Sequence, residues 1–325
     1  MGATAHPGRR LLLGLPALLI GRAAQAQAWP NRPVRLIVPF GPGGPTDIMA
    51  RTLANGLSPV LGQPVVVENR GGAGGNVGVA AAARAAPDGY TLLVSSTGFV
   101  VNPSLFRNPG YDPIRDFTAI TELGASPNVF LATAASPIRT LADLIARARA
   151  TPGGMHIANP GTGSTPHLAS ELLRITAGIE FIQVTHSSAA LAVQAIVSGT
   201  TEIGVTALAS SHGQIKGGLL RPLALTGTER WFDLPELPTM QELGYPGFVS
   251  ETFQGLFAPA GTPAPVIERL ARDAVAVMRQ EEVQARLRNA GFVIRPEGPA
   301  ALAARVAREV PMWGELIRRA GLQQE

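Results

Sequence analysis

The sequence predicts two α/β lobes, each a mostly parallel sheet flanked by helices. Three observations carry this. The chain has 325 residues, room for about two domains at roughly 100 to 200 residues each. Short apolar runs of strand length alternate with helix-period segments, and this alternation occurs twice along the chain. The chain then ends in helices that have no strands of their own to cover, which calls for their return to the first lobe.

Composition bounds the rest. Hydrophobic residues make up 46% and charged residues 15%, which is too apolar for a disordered chain. The 37 Gly and 28 Pro follow no collagen period and mark a turn-rich globular protein. Cysteine is absent, so disulfides, thiolate metal sites and cysteine nucleophiles are excluded. Residues 1–28 have the form of an export signal: Arg9 and Arg10, the apolar run Leu11 to Ile20, and small-x-small sites ending at Ala26 or Ala28. That run is too short to span a bilayer. Arg9-Arg10 lacks the flanking residues usual for a twin-arginine leader, which favours the general secretory route and a periplasmic location. Removing Arg9, Arg10 and Arg22 with the leader leaves 24 basic against 23 acidic residues, a balance that argues against nucleic-acid binding.

In the first lobe, the run Arg35 to Phe40 is a buried strand that ends in the turn Gly41-Pro42-Gly43-Gly44. A helix follows, with Ile48, Leu53, Leu57, Val60 and Leu61 on one face, Thr46 or Asp47 as N-cap and Gly62 as the stop. Val65 to Val67 is a strand, Asn76 to Ala86 an alanine-rich helix and Thr91 to Ser95 a strand. Phe117 to Thr133 is apolar without helical spacing and carries the chain into the second lobe. There, strands are expected at Met155 to Ala158, Phe181 to Thr185, Ile203 to Ala207 and Leu223 to Thr226. Helices are expected at Ser164 to Thr176 and Ala189 to Ser198, preceded by a helix Leu141 to Ala150 opened by a capping box of Thr140 with Asp143. Phe253 to Ala258 is a further apolar run. The last helices are opened by Thr262-Pro263 as N-cap and N1 and closed by a stripe of Leu302, Val306, Val310, Trp313 and Ile317. The expected organisation is a leader at 1–28, domain 1 from 29–124 and 250–325, and domain 2 from 125–249. Lobes joined by extended crossovers form a hinge that can close on a ligand.

In open parallel sheets, ligands bind beyond the carboxyl ends of the strands. Two loops occupy such places: Phe40 to Asp47 in the first lobe and Asn159 to His167 in the second. Each joins glycines to hydroxyl residues at a helix N-terminus, where free amides attract anions. Asp47 is either a helix cap or an acceptor from a ligand amine or hydroxyl. His167 either donates to a carboxylate or bonds locally. The glycines from Gly72 miss the dinucleotide spacing, because the sixth position is Val77. The histidines lack zinc-hydrolase spacing and no Gly-x-Ser-x-Gly elbow occurs, so no metal, cofactor or catalytic residue is expected. Ser164 and His167, three residues apart, leave an exported hydrolase as a remote reading.

Several segments resemble one family: Pro30 to Phe40, Pro42 to Asp47, Val65 to Arg70, Pro87 to Leu93, and Leu256 to Pro263. In content and order they are similar to the Bug family, the periplasmic solute receptors of tripartite tricarboxylate transporters. The likeness runs from about Trp29 to the C-terminus. It implies a Venus-flytrap fold, a monomer that closes on a small organic acid and delivers it to a membrane permease. The resemblance points to Phe40, Gly43, Gly44, Thr46 and Asp47 in the first loop, and to Gly163, Ser164, Thr165 and His167 in the second. Ser95 and Ser96, in the loop before Asn102-Pro103, match a third ligand-lining segment. Two positions depart from the family pattern: His186 begins His-Ser-Ser-Ala where a Lys-containing turn is usual, and Thr206 stands where an Asp is frequent. Both face the expected ligand and make the second wall less charged. A sensory receptor that signals to a membrane histidine kinase would share this fold.

Overall fold

The computed structural model describes residues 1–3 and 29–322. The expected leader and its cleavage sites lie, from residue 4 on, outside the described residues. Among the described residues no helix is long and apolar enough to cross a membrane.

The first lobe opens with β1 (Val34–Val38), α1 (Pro45–Leu61), β2 (Val65–Asn69), α2 (Asn76–Ala83), β3 (Thr91–Ser96) and α3 (Gly98–Leu105). Strand β4 (Phe117–Thr133) leads into α4 (Leu141–Arg149), β5 (Met155–Asn159), α5 (Thr165–Ala177), β6 (Phe181–Thr185), α6 (Ala189–Val197), β7 (Ile203–Ala207), α7 (Leu208–Lys216) and β8 (Leu220–Leu225). The chain ends with β9 (Glu251–Pro259), α8 (Ala264–Met278), α9 (Glu281–Asn289) and α10 (Pro299–Ala320).

The strand order is β2-β1-β3-β9-β4-β7-β5-β6, with β8 also paired to β4. Strands β1, β2 and β3 are mutually parallel, as are β5, β6 and β7, while β9 and β4 run antiparallel to their neighbours. The expected connection at Phe117 to Thr133 is one strand of 17 residues. Its first part pairs with β9 and its second with β7 and β8, so both sheets share it. Register shifts at Ala119/Thr121 and Glu122/Gly124 bend it on the way. Gly124 is required there, because its φ is +158° and a Cβ would stand 2.5 Å from the Val293 carbonyl.

Four apolar clusters fill the faces of the two sheets. In the first lobe, Leu36, Val38, Leu53 and Leu57 pack with Leu256, Leu270 and Val277, which brings α8 against α1. On the opposite face Ile37, Leu93, Phe99 and Phe257 pack with Leu302, Val306, Trp313 and Ile317 of α10. In the second lobe α4 and α5 cover Ile157, Ile203 and Val205 on one face, and α6 and α7 cover Val129, Leu131 and Ala158 on the other. Arg305 of α10 ties β4 to this frame. It donates to Glu122 at 2.7 Å and to Glu309 at 2.7 Å, and lies over the Phe253 ring. Burial pushes the Glu122 carboxyl above its ordinary value although the Arg305 charge opposes it.

The structure corrects several local expectations. Helix α1 is capped by the backbone of Gly44, with Pro45 at its first position, so Thr46 and Asp47 lie inside the first turn. Helix α8 likewise starts at Ala264, with Pro263 as its N-cap, and the Thr262 hydroxyl donates to the Pro259 carbonyl at 2.8 Å. Ser95 and Ser96 are the last residues of β3 and not part of a loop. The capping box of Thr140 and Asp143 forms in full: the Asp143 amide donates to Thr140 Oγ1 at 3.1 Å and the Thr140 amide to Asp143 Oδ2 at 3.0 Å.

Thr140→Ala removes the hydroxyl half of that box. Urea denaturation is expected to show a loss of about 1 kcal/mol with an unchanged m-value.

Candidate functional site

Parallel pairing puts the carboxyl ends of β1 and β3 at one edge of the first sheet, and those of β5 and β7 at one edge of the second. The two glycine-rich loops leave from β1 and β5, and each feeds the N-terminus of a helix. Their internal geometry matches. In the first, the Gly43 amide donates to Asp47 Oδ2 at 2.9 Å; in the second, the Gly163 amide donates to His167 Nδ1 at 3.3 Å. Gly43 has φ +81° and Gly163 φ +79°, a left-handed conformation that favours glycine at both places. Each loop is therefore closed by the side chain four residues after its glycine.

Asp47 is buried and engaged on both oxygens. Besides Gly43, Oδ2 accepts from Arg51 Nε at 2.9 Å, and Oδ1 accepts from Asn69 Nδ2 at 2.9 Å. Asn69 also donates to the Phe40 carbonyl at 3.0 Å, which ties the loop to β2. Burial by itself would raise the Asp47 pKa, but the bonds from Arg51, Gly43 and Asn69, together with the Arg51 charge, outweigh it. The carboxyl stays below its ordinary value. Asp47 is a brace whose charge Arg51 offsets.

His167 is the corresponding brace of the second loop. Burial pushes its imidazole below the ordinary value, and the Glu171 charge acts the other way. With Nδ1 accepting from Gly163, the ring proton of the neutral form resides on Nε2. Ser164 caps α5: its oxygen accepts from the His167 amide at 3.3 Å, and its hydroxyl donates to the Gly161 carbonyl at 2.7 Å. The Ser164 proton is thus committed to a backbone carbonyl, and no bond joins its oxygen to the His167 ring, as a nucleophile and base would require.

The two loops meet across the lobes through α3. A Cβ on Gly163 would stand 2.3 Å from Leu105 Cδ2 and 3.4 Å from Asn102 Oδ1. Asn102 donates to the Gly74 carbonyl at 3.0 Å and to Asn76 Oδ1 at 2.7 Å, and the Phe40 ring lies against Gly75 and Gly98. The Thr165 hydroxyl is bonded to that of Thr252 at the start of β9, and Thr252 donates to Asn128 Oδ1 at 3.2 Å. A Cβ on Gly43 would meet open space, and one on Gly44 only the Gly41 carbonyl at 4.0 Å. The Thr46 and Ser96 hydroxyls have no partner among the described residues. Ser95 Oγ and His186 Nε2 are buried without one. The His186 amide donates to the Asn159 carbonyl at 2.9 Å, and a Cβ on Gly161 would lie 3.6 Å from the His186 carbonyl, so His186 borders the second loop. Thr206 stands apart. It is fully buried at the end of β7 and donates to Ser211 Oγ at 3.0 Å. The sequence reading passed over Asn69, Asn102 and Gln254; their only signal was a polar residue at or just beyond a strand's carboxyl end, or in an otherwise apolar run. Among the described residues no cluster of His, Asp and Glu is placed to hold a metal ion.

Two sheets that share a strand, with paired helix N-termini at their facing edges, define a two-lobed solute-binding protein. The chain belongs to the tripartite tricarboxylate transporter receptor family, whose model matches residues 49–322. It is similar to the periplasmic binding protein BugD, at 35% identity and a TM-score of 0.85, covering 91% of this chain and all of that one. An R. palustris protein solved with adipate is 33% identical, with a TM-score of 0.86 over 90% of this chain and 98% of its own. MatC from Rhodopseudomonas palustris, solved with bound malate, is 32% identical, with a TM-score of 0.83 over 89% of this chain and all of its own. The family is one of receptors, and its solved members are solute-binding proteins.

The pH dependence of the second brace follows from its depressed pKa. The folded state holds His167 less protonated than the unfolded chain does. Its contribution is therefore complete above about pH 6.5 and is lost as pH falls through the lower folded value. In urea titrations, wild type is expected to lose more stability between pH 7.5 and pH 5 than His167→Gln, by up to about 1.4 kcal/mol per unit of pKa separation. Parallel losses would remove His167 as a neutral brace.

Proposed function

We propose that this chain is a periplasmic receptor that captures a small carboxylated molecule between its lobes and hands it to a membrane permease of the tripartite tricarboxylate type. The observation that carries the reading is the matched pair of braced loops, Gly43 with Asp47 and Gly163 with His167, each presenting a helix N-terminus at the same interlobe crossing. Free N–H groups at such termini attract carboxylate oxygens without any positively charged side chain. The adipate and malate held by the two R. palustris relatives support the ligand class.

In this reading Gly44, Thr46 and Ser96 supply donors from the first lobe and the Thr165 backbone amide from the second, while Gly43 and Gly163 give their amides to the braces and set the shape of the loops. Asp47, Ser164 and His167 shape the loops by the bonds described above. Phe40, Ser95 and His186 border the cleft. Thr206, already bonded to Ser211, supports β7 from below. The lobes comprise 29–124 with 250–325, and 125–249, a division supported by the change of β4's partners from β9 to β7 and β8 at Asn128. The chain acts as a monomer after its leader is removed near Ala26 or Ala28. Closure is driven by ligand contacts that exist only when the lobes meet.

Isothermal titration of the mature protein with adipate, malate, citrate, benzoate and a neutral sugar tests the reading. At least one carboxylate is expected to bind and to raise the melting temperature, and the sugar to do neither. Binding of the sugar alone would overturn it. Arg51→Ala leaves the Asp47 charge uncompensated beside the α1 N-terminus. It is expected to weaken carboxylate binding about three- to tenfold, with a larger effect at low salt.

A further inference from the structure

One buried carboxamide in the first lobe is left unpaired at both its donor and its acceptor. Among the described residues five Asn and Gln carboxamides are buried: Asn76, Asn102, Asn128, Asn159 and Gln254. The first four are bonded to protein groups. Gln254 is fully buried in β9, and neither its Nε2 nor its Oε1 has a partner among the described residues. An unpaired carboxamide in a core is costly, and a Leu or Met of similar volume would fill the space without that cost.

Its position in the sheet ties it to the candidate site. Gln254 is paired with Ser96, the last residue of β3, and on its other side with Gly124 of β4. The pairing of Ile37 with Leu93 puts Phe40, where the first loop begins, level with Ser96. Side chains alternate along a strand, so Gln254 shares the face of Leu256 and Ser96 that of Val94. Leu256 and Val94 belong to the cluster under α1 and α8. Gln254 is thus the next residue after that cluster toward the cleft, on the face covered by the helix whose first turn carries Thr46. The unpaired Ser96 hydroxyl lies directly opposite.

We propose that Gln254 is a specificity-determining residue of the cleft, and that it reads a ligand group that both donates and accepts a hydrogen bond, the hydroxyl of a hydroxycarboxylate. A carboxylate only accepts. It pairs with the Gln254 amide hydrogens but leaves Oε1 facing a second acceptor, and a hydroxyl on the adjacent carbon satisfies Oε1. Acids without that hydroxyl leave a buried acceptor unpaired, which is the kind of mismatch that gives strong discrimination. This inference rests on the carboxylate-receptor reading.

The test uses pairs of acids that differ by one hydroxyl: malate with succinate, citrate with tricarballylate, and lactate with propionate, each titrated calorimetrically into the mature protein. Wild type is expected to bind the hydroxylated member of at least one pair about tenfold or more tightly than its partner. Gln254→Leu is expected to bring that pair within about threefold while its melting temperature holds or rises, since the unpaired amide is gone. Gln254→Met, which keeps the chain length, gives the same readout if the leucine variant fails to fold. Equal binding within every pair by wild type, or unchanged discrimination in both variants, overturns the inference and leaves the receptor reading standing. Absence of binding by any of these acids or by adipate and benzoate overturns both.

Discussion

Strand β4 belongs to two sheets at once, and the arrangement of the site follows from that sharing. At about 3.3 Å per residue its 17 residues reach roughly 55 Å, long enough to serve β9 at one end and β7 and β8 at the other. Because a strand imposes direction on its neighbours, the lobes cannot choose their orientation independently. The changeover is pinned by polar groups. Asn128 Nδ2 donates to the Ser250 carbonyl at 3.1 Å and to its hydroxyl at 2.9 Å, the Asn128 amide donates to Thr226 Oγ1, and Thr252 links this knot to Thr165 at the head of α5. A movement of one lobe against the other must pass through these bonds, which are few and sit near the crossover. The apolar clusters lie mostly within one lobe each, although Leu168 of α5 packs into the cluster under α10 and Val293 packs against the one under α6 and α7.

If the loops take an anion as proposed, the braces let them do so with almost no cation. A helix N-terminus attracts negative charge, so an acidic residue beside it competes with any anionic ligand. The first lobe contains such a residue in Asp47, but its oxygens are occupied by Gly43, Asn69 and Arg51, and the guanidinium cancels its charge locally. The second lobe does the same work with an uncharged imidazole, kept neutral by burial. Both loops end up rigid, electrically quiet and open at their remaining amides. No lysine or arginine stands at position 186, on the border of the second loop, to select for a tricarboxylate.

Much of this was legible in the residues. Short apolar runs gave strands at Phe181–Thr185 and Ile203–Ala207 with the bounds the structure has, since each is β-branched-rich, too short for a helix and set between other elements. The Thr140 and Asp143 box was legible for the same local reason. Helix α3 was not, because Gly98, Asn102 and Pro103 interrupt an apolar segment that has no polar face; it is helical because Phe99, Val100, Val101 and Leu105 are all buried in one cluster and Asn102 bonds to Gly74 and Asn76. The start of α1 was misplaced by two or three residues, because Thr46 and Asp47 both resemble caps in sequence, while in space Asp47 reaches back to Gly43.

What the sequence determined by itself was therefore local or compositional: the class of fold, the order of the strands and of most helices, the two glycine-rich loops, and the absence of cysteine chemistry. Tertiary structure alone decided which of the loop residues are free and which are spent on holding the loops. Ser164 looks like a donor until its proton is seen on Gly161, and Gln254 looks like one polar residue in an apolar strand until its register places it beside Ser96. Hydrogen-bond partners far apart in the chain are set by how strands align and helices cross, and no spacing along a single segment encodes that alignment.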